Sequence, residues 1–197
     1  MAVSKQAIVD AAITILNNEG ADGLSMRTLA QALNVKAAAL YNHISGKREL
    51  YGAIAEHMCL LCEMPEPAAN QTEYLTAVCR AYRVMLLTVR DSTIVMEESL
   101  PDTPRRMEII KLMSGALLNM GVKIENLMTA SNMMNNYVLS FVADEVRAKN
   151  LSADEVKKFA ETFDSENQFI YFGENNYDEQ FDYGLRVLFT GLNFVAN

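Results

Sequence analysis

The sequence predicts an all-α protein: an N-terminal three-helix helix-turn-helix unit followed by a larger helical domain. Three observations carry this. Apolar residues recur at three- and four-residue spacing along nearly the whole chain, helix caps punctuate it, and strand signals are almost absent. Only "FIYF" at 169–172 reads as extended, and so short a run cannot found a sheet.

Ser4 caps a first helix that sets Ile8, Ala11, Ala12, Ile15 and Leu16 on one face. Gly20 ends it, where a left-handed residue is easiest. Ser25 caps a second helix with Leu29 and Leu33 inward, and Asn34 and Val35 make a tight connection to a short helix from about Lys36 to Asn42. Ser45 is expected to cap a fourth helix reaching about Cys62, before "EMPEPAAN" breaks the pattern at Pro65 and Pro67. The chain therefore divides into residues 1–50 as the helix-turn-helix unit, 51–64 as a connecting helix and 65–197 as the larger domain. In that domain helices fall near 71–90, 104–120, 123–149, 152–164 and 176–194. Pro104 after Thr103 starts one, because proline at the first helical position loses no needed donor. Gly121 stops it, and Ser152 with Glu155 forms a capping box for a later one.

Half of the 197 residues are apolar, enough for a sizeable core. No apolar run approaches the ~20 residues of a membrane helix, and Asp10 and Glu19 interrupt the early apolar positions where a signal peptide would be unbroken. Three cysteines, an odd number, fit a reducing compartment, so a cytoplasmic location without membrane attachment is expected. The net charge of −8 is unevenly spread. Residues 1–50 hold five Lys/Arg and four acids, 5 − 4 = +1, which leaves −9 for residues 51–197. An acidic body repels phosphate, so any nucleic acid has to be met by the N-terminal end.

That end carries "SMRTLAQALNVKAAALYNHISGKREL". Leu29, Leu33, Val35 and Leu40 supply a shared core for two short helices, and Ala30 lets them approach. Arg27, Lys36, Ala37, Ala38, Tyr41 and Asn42 are left outside. A short helix with small residues at its start can enter a major groove ~12 Å wide. Tyr41, His43 and Lys47 can then donate to phosphates on either side, joined by free N–H groups at the start of the fourth helix. An isolated pattern of this kind is also met in ordinary surface hairpins with solvated charges; the regular Tyr41, His43, Lys47 series argues against that here.

The order of residues from Gly20 to Leu50, above all Leu40-Tyr41, His43, Lys47 and Leu50, resembles the DNA-binding domain of the tetracycline-repressor (TetR) family. Further on, "LLTVRDSTIVM" resembles the tetracycline repressors themselves. The resemblance implies a ligand-responsive regulator, a repressor that binds a palindromic double-stranded DNA operator as a homodimer. It implies DNA contacts from Ser25, Arg27, Thr28, Lys36, Ala37, Ala38, Ala39, Tyr41, Asn42, His43 and Lys47, with Arg27 reading a guanine. One departure matters: relatives often carry Ser or Thr at Ala39 and Pro or Gly at Ala38. With "KAAAL", specificity rests on Arg27, Lys36, Asn42, alanine methyl contacts and DNA shape.

The same resemblance makes residues 65–197 the effector-binding and dimerisation domain. The helices at 123–149 and 176–194 are apolar on more than one side, which suits a four-helix interface around a two-fold axis; Met133, Tyr137, Phe141, Phe181, Leu185 and Leu188 are its candidates. Such a dimer sets the recognition helices ~34–36 Å apart. Twelve methionines are many for this length, and Met85, Met96, Met107, Met113 and Met134 are candidates to line an adaptable pocket, although any single methionine at helical spacing more often fills core. Where tetracycline repressors place a metal-ligating histidine this chain has Met96, and Glu63 stands for their drug-binding histidine. A thioether does not hold hard Mg²⁺. The expected effector is therefore apolar or aromatic and is not a magnesium–tetracycline chelate, with no metal and no cofactor.

Other readings carry less. "HMCLLC" (His57, Cys59, Cys62) is a weak metal or redox signal, since a structural zinc site needs four ligands and small cysteines commonly fill cores. No acid–base or nucleophile constellation is present, and Glu97 and Glu98 are neighbours that point apart on a helix, so an enzyme is not expected. The remaining alternative is a helical small-molecule-binding or adaptor protein that does not bind DNA.

Overall fold

A computed structural model describes residues 3–162 and 176–196. Helix α1 (Lys5–Gly23) starts where the Ser4 hydroxyl accepts a hydrogen bond from Ala7 N at 3.1 Å, and it breaks at Gly20, whose φ is 76°. Two constraints select glycine there. The left-handed backbone disfavours any other residue, and a Cβ would lie 2.8 Å from Asp91 Oδ2. Helix α2 (Met26–Ala32) carries a capping box in which Thr28 N donates to Ser25 Oγ at 3.1 Å and Ser25 N donates to Thr28 Oγ1 at 2.9 Å. Asn34, at φ 52°, makes the tight turn to α3 (Ala37–Tyr41). Helix α4 (Lys47–Leu61) corrects one expectation: its N-cap is Gly46, not Ser45. The Ser45 N–H and hydroxyl both donate to the Glu49 carboxylate at 2.7 Å, and no side chain accepts from the first N–H groups of the helix.

Asn70 caps α5 (Gln71–Leu86), which ends before the expected residue 90. A turn through the left-handed Asp91 leads into α6 (Ser92–Glu98), a helix that lies in the unassigned stretch between 90 and 104. The break has a tertiary cause. Asp91 Oδ2 accepts from Ala21 N at 2.7 Å and Arg90 N donates to Asn17 Oδ1 at 3.0 Å, so this turn clasps the end of α1. Helix α7 (Pro104–Asn119) starts at the expected proline and stops at Gly121, φ 91°. A single 3-10 turn (Ile124–Asn126) opens the expected 123–149 segment before α8 (Leu127–Lys149). Helix α9 (Ala153–Thr162) has its Ser152–Glu155 box, with Ser152 N donating to Glu155 Oε2 at 2.9 Å and Glu155 N to Ser152 Oγ at 3.3 Å. Helix α10 (Tyr177–Ala196) completes the described chain. No strand occurs among the described residues, and "FIYF" at 169–172 lies outside them.

Helices α1 to α3 and the first half of α4 enclose Ile8, Leu16, Leu29, Leu40, Ile44 and Leu50, all buried. Helix α4 then runs on against α6 and α7, so the two parts share one continuous apolar core. The α4–α7 contact is polar at its centre. Pro104 and Thr103 give α7 no side-chain cap of its own, and the Glu56 carboxylate from α4 supplies one, accepting from Arg105 N at 2.9 Å and Arg106 N at 3.3 Å. Burial pushes the Glu56 carboxyl up, but the Thr103 hydroxyl, these two N–H groups and the Arg105 charge outweigh it and hold it below its ordinary value.

Helices α5, α8 and α10 are tied by a buried cation. Arg83 Nε donates to Glu145 Oε2 at 2.7 Å and Arg83 Nη1 to Asp178 Oδ1 at 2.6 Å, while its guanidinium lies 5.4 Å from the Phe141 ring and 5.1 Å from the Phe181 ring. Lys149 Nζ takes the other Glu145 oxygen at 2.6 Å, and Arg80 pairs with Asp182 nearby.

Two outcomes follow from these polar ties. Glu145→Ala strands Arg83 inside the core and should cost about 3–5 kcal/mol in urea unfolding at neutral pH, whereas the double change Arg83→Met with Glu145→Leu should recover most of that loss. Glu56 is a carboxylate with a depressed folded pKa, so its contribution is full above the ordinary value of 4.5 and is lost as pH falls through the lower folded value. Glu56→Gln should cost about 1 kcal/mol at neutral pH and flatten the acid limb of the stability profile. An acid limb identical in both proteins would mean that the clamp is not electrostatic.

Candidate DNA-binding surface and ligand cavity

Helix α3 lies with Leu40 buried and Lys36, Ala37, Ala38, Tyr41 and Asn42 exposed; Ala39 is half-buried. Tyr41 is 54% exposed, a large aromatic side chain left open to solvent. Arg27 on α2, His43 after α3 and Lys47 on α4 are exposed as well. Ser25 and Thr28 occupy the same end of the domain, but their hydroxyls are engaged in the α2 cap, and Thr28 Oγ1 also donates to Gly23 O at 2.8 Å. Lys47 Nζ sits 5.2 Å from the Tyr51 ring, which steers its stem. The Gly46 cap leaves the first N–H groups of α4 without a side-chain acceptor beside Lys47 and the exposed Arg48. Cationic, phenolic and backbone donors thus flank a narrow helix whose leading face is methyl groups. That set can hold phosphates on both sides of a groove while the helix enters it.

The second feature is a cavity of about 160 Å³ between α4, α6, α7 and α8. Met96, Met113 and Met134 line it together with Ile109 and Ile110. Two other methionine candidates do not: Met85 is buried in the core of α5, and Met107 is half-buried elsewhere on α7. Among the described residues no Phe or Leu lines the cavity, and part of its lining is polar. Arg106, Ser131, Asn132 and Asn135 reach it, with the Tyr82 hydroxyl donating to Asn135 Oδ1 at 3.4 Å. The Asn and Ser residues of "SNMMNN" interrupt an otherwise apolar helix, a signal in the sequence that could have found them. Arg106 gave no such signal, because one arginine at the start of a helix looks solvated. The donors do not suit a hard cation. Met96 stands at the position of the implied metal ligand, and among the described residues no group of three His, Cys, Asp or Glu could hold an ion.

Cys59 lines this cavity from α4, and all three cysteines are free and buried. Burial pushes the Cys59 and Cys79 thiols up to about 12 and raises Cys62 as well, so they stay protonated and unreactive. His57 is half-buried, its Nδ1 3.3 Å from Gln6 Nε2, and belongs to the α1–α4 contact.

The interface candidates separate. Phe181 and Leu185 are buried within the protomer, which corrects their placement on an outer face. Tyr137 and Phe141 are half-buried; Tyr137 stacks with Phe181 at 5.5 Å, Phe141 meets it edge-on at 5.0 Å, and the Tyr137 hydroxyl donates to Phe181 O at 2.8 Å. Gly184 allows this crossing: a Cβ there would lie 2.1 Å from the Tyr137 oxygen. The reason these residues face inward is the α8–α10 contact itself, which their aromatic rings form. Leu188 is half-buried, and Met133 is 48% exposed. Apolar surface that remains open on these helices comes from Met128, Met133, Tyr183 and Val187.

Comparison with known proteins fits both features. Residues 8–54 match the family described as bacterial regulatory proteins, tetR family, and residues 64–196 match the tetracyclin repressor-like C-terminal domain. The class C tetracycline repressor of Escherichia coli is 27% identical over 200 residues, spanning 96% of this chain and 90% of its own. Among solved structures, ActR of Streptomyces coelicolor in complex with actinorhodin superposes with a TM-score of 0.85 at 25% identity, covering 99% of each chain. BioQ with its natural double-stranded DNA operator superposes with a TM-score of 0.72 at 28% identity, covering 97% of this chain and 98% of that one. No helix among the described residues is long and apolar enough to cross a membrane. With both halves matched in order, the chain belongs to the tetracycline-repressor family of bacterial transcriptional regulators and is a ligand-responsive regulator, not an enzyme.

Proposed function

We propose that this protein is a cytoplasmic repressor that binds a palindromic operator as a homodimer and is released by an apolar or aromatic effector. The observation that carries the reading is the surface around α3, where Ala37, Ala38, Tyr41 and Asn42 stand exposed over a buried Leu40 and between Arg27, His43 and Lys47. In this reading residues 1–50 meet DNA, 51–64 transmit, and 65–197 bind effector and partner. Arg27 reads a base, Lys36 and Asn42 flank the groove, and Tyr41, His43 and Lys47 hold phosphates. An acidic body with charge −9 supports contact through that one surface only. The ActR complex with actinorhodin supports an organic effector, and the BioQ complex supports operator binding.

Dimerisation is supported by the apolar surface left open on α8 and α10, Met133, Tyr183 and Val187 among it, next to a hollow lined by Val122, Ala130 and Leu192. Leu188 contributes from the edge of that surface.

Operator selection from random palindromic DNA, followed by titration at two salt concentrations, tests the reading. Lys47→Ala should weaken every sequence alike and lower the salt slope by about 1. Arg27→Ala should cost about 1–3 kcal/mol, concentrated at one base position. Binding by both variants that matched the parent protein would return α2 and α3 to the status of a surface hairpin and favour the adaptor alternative. For assembly, Val187→Asp is the cleaner substitution than one at half-buried Leu188. It should convert the protein to monomers in sedimentation while leaving its helical content unchanged, and the monomer should lose operator affinity.

A further inference from the structure

We propose that the cavity between α6, α7 and α8 takes an organic anion, a ring of aromatic or alicyclic character bearing a carboxylate or an equally acidic enol, whose charge is met by Arg106. The inference rests on the reading of this cavity as the effector site and adds the chemistry of what enters it.

Arg106 is the one cationic side chain lining the cavity among the described residues. It belongs to none of the ion pairs among the described residues. Instead its guanidinium rests on the end of α6: Nη1 donates to Ser99 Oγ at 2.7 Å and Leu100 O at 3.3 Å, and Nη2 donates to Met96 O at 2.8 Å. These acceptors are dipoles, so a full positive charge beside an apolar cavity is met only by carbonyl and hydroxyl oxygens. Its Nε–H has no acceptor among the described residues. A carboxylate in the cavity offers what the site lacks, a bidentate and charge-assisted partner, which is roughly twice as strong as a neutral hydrogen bond. Ser131, Asn132 and Asn135 bring neutral donors and acceptors to the cavity from α8, so ring hydroxyls or carbonyls can be met there.

Size narrows the class. A cavity of about 160 Å³ is close to the ~150 Å³ that holds benzene and well below the ~300–1,000 Å³ of drug-sized pockets. A single ring with its acid group fills it, and anything larger has to move a wall. The wall that carries Arg106 is also the one joined to α4. The backbone N–H of Arg106 donates to Glu56, while its side chain holds the carbonyls at the end of α6. An anion that draws the guanidinium off Met96 and Ser99 therefore loosens α6 and loads the α4 clamp through the same residue.

Calorimetric titration of the full-length protein at neutral pH with benzoate, benzamide, 1-naphthoate and 1-naphthamide tests this. The acids should bind at least tenfold more tightly than their amides, and Arg106→Gln should abolish that preference. Ser99→Ala removes a competitor for Arg106 without touching the cavity lining, and it should tighten the acids several-fold while leaving the amides unchanged. Met113→Trp fills the cavity and should abolish binding of both classes. Equal affinity for acid and amide, or a preference that survives Arg106→Gln, would overturn the anion assignment and leave the cavity as an effector site if Met113→Trp still blocks binding. No binding by any of the four, or binding that survives Met113→Trp, would overturn the reading of the cavity as well.

Discussion

The Glu56 carboxylate is where the two halves of this regulator meet. A helix that begins with proline cannot cap itself from its first residue, and Thr103 does not do so here. The orphan N–H groups of Arg105 and Arg106 take their acceptor from another helix, α4, which comes from the DNA-binding end. A few residues further along α4, the Cys59 carbonyl accepts from Arg105 Nε at 3.4 Å, so the start of α7 holds α4 at two levels. The opposite side of the small domain is held differently. There the turn before α6 clasps the end of α1 through Asp91, and Gly20 is kept bare so that the carboxylate can reach Ala21 N. One contact is a hydrogen-bonded pivot at α1, and the other is a charged clamp on α4. In the proposed regulator, movement of α7 acts on α4, which packs against α1 of the DNA-binding unit.

The magnitudes suit such a coupling. Linkage between two sites in allosteric proteins is typically ~1–3 kcal/mol, and a carboxylate at a helix N-terminus contributes ~0.3–2 kcal/mol. Loss of the clamp is therefore of the same order as the free energy a repressor has to shift. A ligand that bound both arrangements equally would shift nothing, however tightly it bound. In the proposed regulator the difference in affinity comes from an acid in the cavity drawing Arg106 away from its acceptors on α6.

Much of the small domain was legible in the sequence because its determinants are local. Ser4, Ser25 and Thr28 cap helices from within a few residues, Asn34 takes a turn it tolerates, and Leu29 and Leu40 follow simple spacing. Where tertiary demands intervene, spacing fails. Helix α5 reads as running to residue 90 and α6 falls in an unassigned link, since nothing local announces that Arg90 and Asp91 must turn to hold α1. Ser45 looked like a cap, but the helix starts one residue later at Gly46 and the Ser45 donors turn to Glu49. Phe181 and Leu185 looked like interface because α10 is apolar on two sides, and periodicity cannot say which side meets the same chain. For the cavity, three of the five methionine candidates, Met96, Met113 and Met134, line it, while its polar side chains were not anticipated. Those depend on which lone polar residues the packing brings together.

What remains is why strain in the cavity should reach α4 instead of spreading through the larger domain. Helices α5, α8 and α10 are joined by Arg83, whose charge is shared between Glu145 and Asp178 and whose flat face lies against Phe141 and Phe181. Separating those helices would expose a buried cation, a cost of several kcal/mol. The α6–α7 side has no comparable tie among the described residues: Arg106 holds it by hydrogen bonds to neutral acceptors, each worth ~1.5–3 kcal/mol with one charged partner and readily exchanged for a ligand's. The cavity thus has a stiff wall on α8 and α5 and a yielding one on α6 and α7. A molecule that enlarges it pushes the yielding wall, and that wall ends at Glu56.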